Sequence, residues 1–458
     1  MSSTSPGEWR TRSLWMQRTM YEPVGRLHGS EVADVVVVGA GFTGLWSAIQ
    51  LKEADPAIDV AVCEAKVAAY GASGRNAGFA MTMVGRNLHD LVRKVGPERA
   101  KATHLAMRDT LGEIKKFSIA EGIDAAITAP GLLTVSNGPD QDLRIAQDLR
   151  AAERLGLDDF HSRSGAECQQ MVASERLRCG HFEDDALLVD PAALCRGLRD
   201  AALRKGVRVY EHTPVDALVE TGGGRVEART PFGTVLADRA LVATNAYAYS
   251  IKALRRFIFT VYAYIVVSEQ LTDEQWARVG WDKRMGIEDK RVMPHFHRPT
   301  PDGRILWGGR DAPLSPIGPN PRRDRDSYVF SRLEETFRWN FPQLHDVAIE
   351  HGWGGPVCGS LNCFSSVGFL GPSERICYAL GYAGHGVGQS YLAAKIVRDL
   401  LLGTKSELLE LPLARKRPLP LPPEPIRSWV LAGSQGFLQR ADDGAQTALA
   451  RLALRVLQ

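Results

Sequence analysis

At 458 residues the chain has room for two or three domains and a large core, and its 44% hydrophobic and 24% charged composition is ordinary for an enzyme. A net charge of +3 on scattered Lys and Arg gives no case for nucleic-acid or anionic-membrane binding. No apolar run approaches the roughly 20 residues of a membrane span. Seven cysteines, odd in number and without a C-x-x-C pair, argue against a disulfide framework or a zinc site; with no secretory or twin-arginine signal evident, they point to a cytoplasmic protein and no metal.

Residues 1–33 carry Trp9, Trp15, Met16, Met20 and Tyr21, too aromatic for a disordered tail, and read as an arm laid over the body. Next comes the most informative stretch, Asp34-Val-Val-Val-Val-Gly39-Ala-Gly41-Phe42-Thr43-Gly44. Four valines suit a strand buried on both faces. The G-x-G-x-x-G spacing then gives a tight turn, a close approach to a pyrophosphate, and close packing of the next helix. That helix should break near Asp55-Pro56, and a second strand, 58–63, ends in Glu64, where an acid can bind a ribose hydroxyl. Strand, turn, helix, strand and acid in this order predict a dinucleotide site.

A small-residue loop, 70–78, follows; helices are expected over 86–122 and 140–155, with a strand at 132–135 between them. Asp190-Pro191 signals a helix start and Gly206 its end. A strand at 207–210, a hairpin with arms near 225–229 and 234–238, and a return strand into Ala243-Thr244-Asn245 complete the middle. From 257 to 310, aromatic and β-branched runs predict a largely antiparallel sheet over the substrate. A last strand, 376–380, leads into Gly384-His385-Gly386-Val387-Gly388 and a helix ending at Gly403, whose positive N-terminus suits an anionic group. The fold class is therefore α/β: a Rossmann-type nucleotide domain built from 34–85, 186–250 and 350–405, and a substrate domain from 86–185 and 251–349. A proline-rich strap and final helix, 406–458, complete the chain.

Together, Gly39–Gly44, Glu64, 72–78, Asp190-Pro191, 243–245 and 384–387 resemble the D-amino-acid oxidase family of flavoproteins, with the closest likeness to glycine oxidase and γ-glutamylputrescine oxidase members. The resemblance implies an FAD-dependent enzyme that oxidises a C–N bond of a small amine or amino acid. It implies FAD held by Gly39, Gly41, Phe42, Thr43, Gly44 and Glu64 at the ADP end, and by Ser73, Gly74, Arg75, Asn76 and Gly78 along the ribityl and ring region. Val215 would meet the adenine, Thr244 would join the site, and Gly384, His385, Gly386, Val387 and Gly388 would meet the flavin.

Where the family can carry a flavin-linked cysteine, the spacing here reaches Gly355 and not Cys358, so FAD is expected to be non-covalent. The family's Thr-Pro-Asp is replaced by Leu361-Asn362-Cys363, and Arg304–Arg310 lacks the lysine that sarcosine oxidases use with oxygen. An alternative is thus a dehydrogenase passing electrons to a quinone or protein; a non-catalytic dinucleotide-binding scaffold is the rival from another class. In the strand 292–298, alternation sets Phe296 and Arg298 on one face and His295 and His297 on the other. The family places a carboxylate-binding arginine near Arg298, making it the first candidate for substrate contact; His385 is a second catalytic candidate, its small neighbours favouring a positional role over proton transfer. Tyr262 and Tyr264 are candidates for an aromatic wall, with sheet packing as their other reading.

Overall fold

The computed structural model describes residues 8–361, 364–415, 417–431 and 433. Among them, the α/β expectation holds: two large sheets form, sharing one large hydrophobic core, and each has a further core of its own. In the first, five strands run parallel in the order Ile376–Leu380, Gly233–Val242, Glu31–Val38, Val60–Cys63 and Arg208–Tyr210. The valine run sits at the centre, with Val38 flanked by Val242 and Cys63, and both faces are covered, Val35 and Val37 packing into one core and Val36 into another. Its strand begins at Glu31, three residues before the expected start. Helices Phe42–Ala54 and Gly386–Leu402 pack together on one face, where Trp46 lies edge-on to Phe117 and Tyr391 at 4.9 and 4.7 Å.

Gly233–Val242 serves two roles along its length. Its first half forms the hairpin with Val226–Thr230, and its second half runs parallel to the valine strand. The helix Pro191–Arg204 starts as its sequence dictates, with Asp190 Oδ1 accepting from the Ala193 N–H at 2.9 Å.

The second sheet is largely antiparallel but reaches further than the 257–310 pattern suggests. Leu132–Ser136, Cys179–Glu183 and Phe160–Ser164 extend it, joined through one parallel pair between Leu132–Ser136 and Gly286–Asp289. The strand Ile349–Gly359 also belongs here, paired along Phe259–Ser268, which corrects the division at 350 that gave it to the nucleotide domain. Helix Asp273–Val279 and strand Gly286–Asp289 are further elements that the local pattern did not reveal. The outer face is sealed by Trp281, Trp307, Phe337 and Phe341, with His297 stacked on Trp307 at 4.4 Å. His295 Nδ1 donates to Asp289 Oδ2 at 3.0 Å, so both histidines are packing residues of this face. No cluster able to hold a metal occurs among the described residues.

The N-terminal arm is pinned to the body by Trp15 and Met16, both fully buried, whereas Met20 is exposed. Tyr21 and the Val24 N–H both bind the buried Glu211 carboxylate. In the C-terminal strap, the Leu421 N–H reaches Arg256 O at 2.7 Å; the expected final helix beyond residue 433 lies outside the described residues. No helix among those described is long and apolar enough to cross a membrane.

Candidate active site

A cavity of about 1570 Å³ runs past the C-terminal ends of the parallel strands and under the second sheet. Small-molecule pockets are usually about 300–1,000 Å³. The excess accommodates a dinucleotide together with a substrate. Ligands of open parallel sheets bind at this end because the strand-to-helix turns converge there.

The end of the cavity at the first glycine turn is lined by Val38, Gly39, Gly41, Phe42, Thr43 and Glu64. Gly39 has φ +107°, a turn closed by its N–H to Cys63 O at 2.8 Å. Gly44 lies behind the wall, and its task is packing: a Cβ there would stand 1.9 Å from Gly39 O. Glu64 accepts from the Ala40 and Lys66 N–H groups at 2.9 Å each, which ties the turn to the end of the second strand and leaves lone pairs for a sugar hydroxyl. Burial pushes its carboxyl up to about 7. Glu64→Ala is expected to weaken FAD by about 1.5–3 kcal/mol, the value of a charged hydrogen bond. Wild-type affinity should fall as pH drops below about 7, because the carboxyl then protonates and accepts less strongly, and the variant's affinity should not. Fluorescence titration of apoprotein with FAD measures both. Val215 lines the same end.

The loop after the second strand is braced from within and behind. Ser73 Oγ accepts from the Phe42 N–H at 2.9 Å, and Asn76 bonds Ala72 O, Ser73 O and the Gly78 N–H. The Arg75 guanidinium is held by Asp324 at 3.0 Å and Tyr247 at 2.9 Å. From the arm, Ser13 Oγ donates to Gly74 O at 2.6 Å and Trp15 Nε1 to Asn76 O at 2.9 Å. Ser73, Arg75 and Asn76 line the cavity, whereas Gly74 and Gly78 sit behind it, pressed against Ala69 O and Val189 O. The arm's contribution was not readable in advance. Its aromatic content was a signal of burial, but nothing local indicates which loop it backs.

At the far end, Thr244, Gly384, His385, Gly386 and Val387 line the cavity, and Gly388 packs against Met107, Leu111 and Met81. His385 is the N-cap of the helix Gly386–Leu402, so that helix presents its positive end to the cavity. Thr43 and Tyr382 hydroxyls meet at 2.8 Å and join the two glycine turns. Thr244 Oγ1 and His385 Nδ1 are buried without a well-formed hydrogen bond among the described residues. Buried polar atoms of this kind call for a ligand. Together with the acidic strand end and two helix N-termini, they fit FAD. Burial and the charge of Lys290 lower His385 to about 4, so its ring is neutral and poorly suited to take a proton from an amine.

Beyond His385 the walls are Phe79, Met81, Ala263, Ile265, Phe296 and Glu288. Phe79 and Phe296 meet edge to face at 6.3 Å. Arg298 does not line this compartment, and its expected role as a carboxylate ligand is corrected. Its guanidinium is turned under the 70–78 loop, donating to Val189 O at 2.8 Å, Gly78 O at 3.1 Å, Ala77 O at 3.3 Å and Pro299 O at 3.0 Å. Tyr262 and Tyr264 point to the outer face, donating to Asn320 O and Arg323 O, while Val261, Ala263 and Ile265 face the cavity. Cys358 is buried away from the cavity, its thiol pushed up to about 12 by burial; Asn362 and Cys363 lie outside the described residues.

The DAO family model, described as FAD-dependent oxidoreductase, matches residues 34–400. The chain is 31% identical to γ-glutamylputrescine oxidoreductase of Escherichia coli over 385 residues, covering 84% of this chain and 87% of that one. It is 26% identical to glycine oxidase of Bacillus licheniformis over 391 residues, covering 82% and 95%. The crystal structure of glycine oxidase from Geobacillus kaustophilus superposes with a TM-score of 0.70 at 18% identity, covering 84% of this chain and 99% of that one, a likeness of fold.

Proposed function

From the premise that this chain belongs to the DAO family of FAD-dependent oxidoreductases, we propose that it oxidises the C–N bond of a small amine or amino acid to an imine, which water then hydrolyses. Molecular oxygen is the electron acceptor in this reading, and the cytoplasm its setting. What supports it above all is one continuous cavity joining the Glu64 end to an apolar compartment of Phe79, Met81 and Phe296.

When bound, FAD supplies the hydride acceptor. The protein's part is to hold the substrate with its C–H bond toward the ring and its nitrogen lone pair free. An alkylammonium of pKa about 10 must lose a proton first, at about 4 kcal/mol at neutral pH. The aromatic and aliphatic walls reduce that cost because they disfavour the cation. The positive end of the Gly386–Leu402 helix favours negative charge at the cavity end where His385 sits. With Cys358 turned away, the flavin is held without a covalent link, and acid precipitation should release all of the yellow colour.

Anaerobic bleaching of the flavin across a panel of amines and amino acids tests the reading, and peroxide formed on readmitting air tests the acceptor. A flavin that no member bleaches would leave a non-catalytic scaffold. The absence of lysine from Arg304–Arg310 favours a second reading, a dehydrogenase. It predicts bleaching without peroxide and rapid reoxidation by a soluble quinone.

A further inference from the structure

We propose that Glu288 is a catalytic residue of this cavity, the group that takes the proton from the substrate's ammonium before oxidation; this rests on the reading above that the substrate is an amine. One N–H bond breaks and one O–H bond forms on the Glu288 carboxylate. The electron pair stays on nitrogen, and no oxidant is needed.

Placement carries the argument. Glu288 lies on the strand Gly286–Asp289, directly across from Phe296 on one neighbour and from Thr134 on the other. Its side chain is on the face that covers the cavity, since Ile287 packs with Trp276 and Trp281 on the opposite one. It is only 5% exposed, yet it lines the cavity with Phe296, Phe79 and His385. Among the described residues no ion pair ends on it. The nearest cation in sequence, Lys290, gives its ammonium to Asp148 at 2.6 Å.

A buried carboxylate beside the Phe296 ring, with no ion pair of its own among the described residues, is complementary to an arriving ammonium. Desolvation then moves the proton in the required direction. It raises the affinity of the carboxylate for a proton and lowers that of the amine, so the neutral pair becomes the favoured form. The charged and titratable groups around Glu288 come from several elements. Asp289 follows it on its own strand and Lys290 just beyond the strand end, Asp148 reaches in from helix Pro139–Leu155, and Glu183 and His181 lie on Cys179–Glu183. His385 lines the same cavity from the helix N-terminus. Burial raises Glu288 to about 7, with Asp289 and Asp148 adding to the rise and Lys290 and the Thr134 hydroxyl opposing it. Burial likewise raises Glu183 to about 8 and holds His181 and His385 neutral. Glu288 is thus ionised just above neutral pH and is matched to its task.

The test uses FAD-loaded wild type, Glu288→Gln and Glu288→Asp. For flavin reduction by a bleaching amine, wild-type kcat/KM should rise with pH to a plateau governed by a group near 7. In Glu288→Gln that limb should vanish, kcat/KM at neutral pH should fall about 10²-fold or more, and the rate should climb toward the amine's own pKa. Glu288→Asp should keep the limb. Calorimetry at pH 8 with tert-butylamine, which has no α-hydrogen to lose, reads the proton directly. Binding should release almost none to buffer from wild type, and close to one per site from Glu288→Gln. A wild-type profile without a limb near 7, or a Glu288→Gln enzyme unchanged in profile and proton release, overturns the proposal and leaves amine oxidation standing. A wild-type flavin that no amine bleaches overturns both.

Discussion

Gly44→Val leaves the enzyme without FAD and with a markedly lower melting temperature. The added Cβ would stand 1.9 Å from Gly39 O and 3.2 Å from Val37 Cγ1, both parts of the central strand and its turn, which have nowhere to retreat. Helix Phe42–Ala54 must therefore lift by more than an ångström. That movement withdraws Phe42 and Thr43 from the cavity wall, separates Thr43 from Tyr382, and unseats Trp46 from between Phe117 and Tyr391. Overpacking alone costs about 1–3 kcal/mol, and the broken contacts between the two glycine turns add to it. Gly112→Ala is the control. Gly112 is exposed on helix Pro97–Ala120 with nothing near its Cβ position, so the change should stabilise by up to about 1 kcal/mol. Thermal melts and flavin content of both variants give the comparison. A Gly44→Val protein with full FAD and an unchanged melt would show that the helix does not need its close approach.

Arg298→Ala destabilises the fold without changing the choice of substrate. The side chain is 2% exposed and donates to four main-chain carbonyls, joining the 70–78 loop at Ala77 and Gly78 to Val189 and to its own strand. Burial lowers its guanidinium to about 10, so the charge is retained at neutral pH and shared among the carbonyls, with Asp190 assisting at longer range. Its removal leaves buried acceptors unsatisfied at about 1–3 kcal/mol each, partly recovered if water enters. A loss of about 3–5 kcal/mol is expected, seen as a lower melting temperature and a faster loss of FAD. The ratio of kcat/KM for acidic and uncharged substrates should stay as in the wild type. A selective loss on acidic substrates would return Arg298 to the substrate site.

These two residues mark where local reading succeeds and where it stops. Gly44 was assigned correctly to helix–strand packing from six residues of spacing, because the turn, the positive φ of Gly39 and the helix start all lie within one short stretch of chain. Arg298 was placed on the correct face of its strand, together with Phe296. Alternation says which face a residue takes, but not what lies above that face. Phe296 is covered by the cavity, whereas two residues along Arg298 is covered by the loop carrying Gly78, more than two hundred residues earlier in the chain.

Glu288 was missed for a related reason. Glu288, Asp289 and Lys290 together resemble an exposed turn, and only the parallel pairing of Gly286–Asp289 with Leu132–Ser136 makes that stretch a buried strand. The amino-acid sequence by itself determined the nucleotide half of this protein: the valine strand, both glycine turns and the Asp190 cap. These rest on backbone dihedrals and hydrogen bonds between near neighbours. Tertiary structure alone decided which side chains line the apolar end of the cavity. The walls of that compartment come from strands and loops more than two hundred residues apart, and the fate of each charge there depends on whether the partner across the gap is water, a carbonyl or an apolar ring.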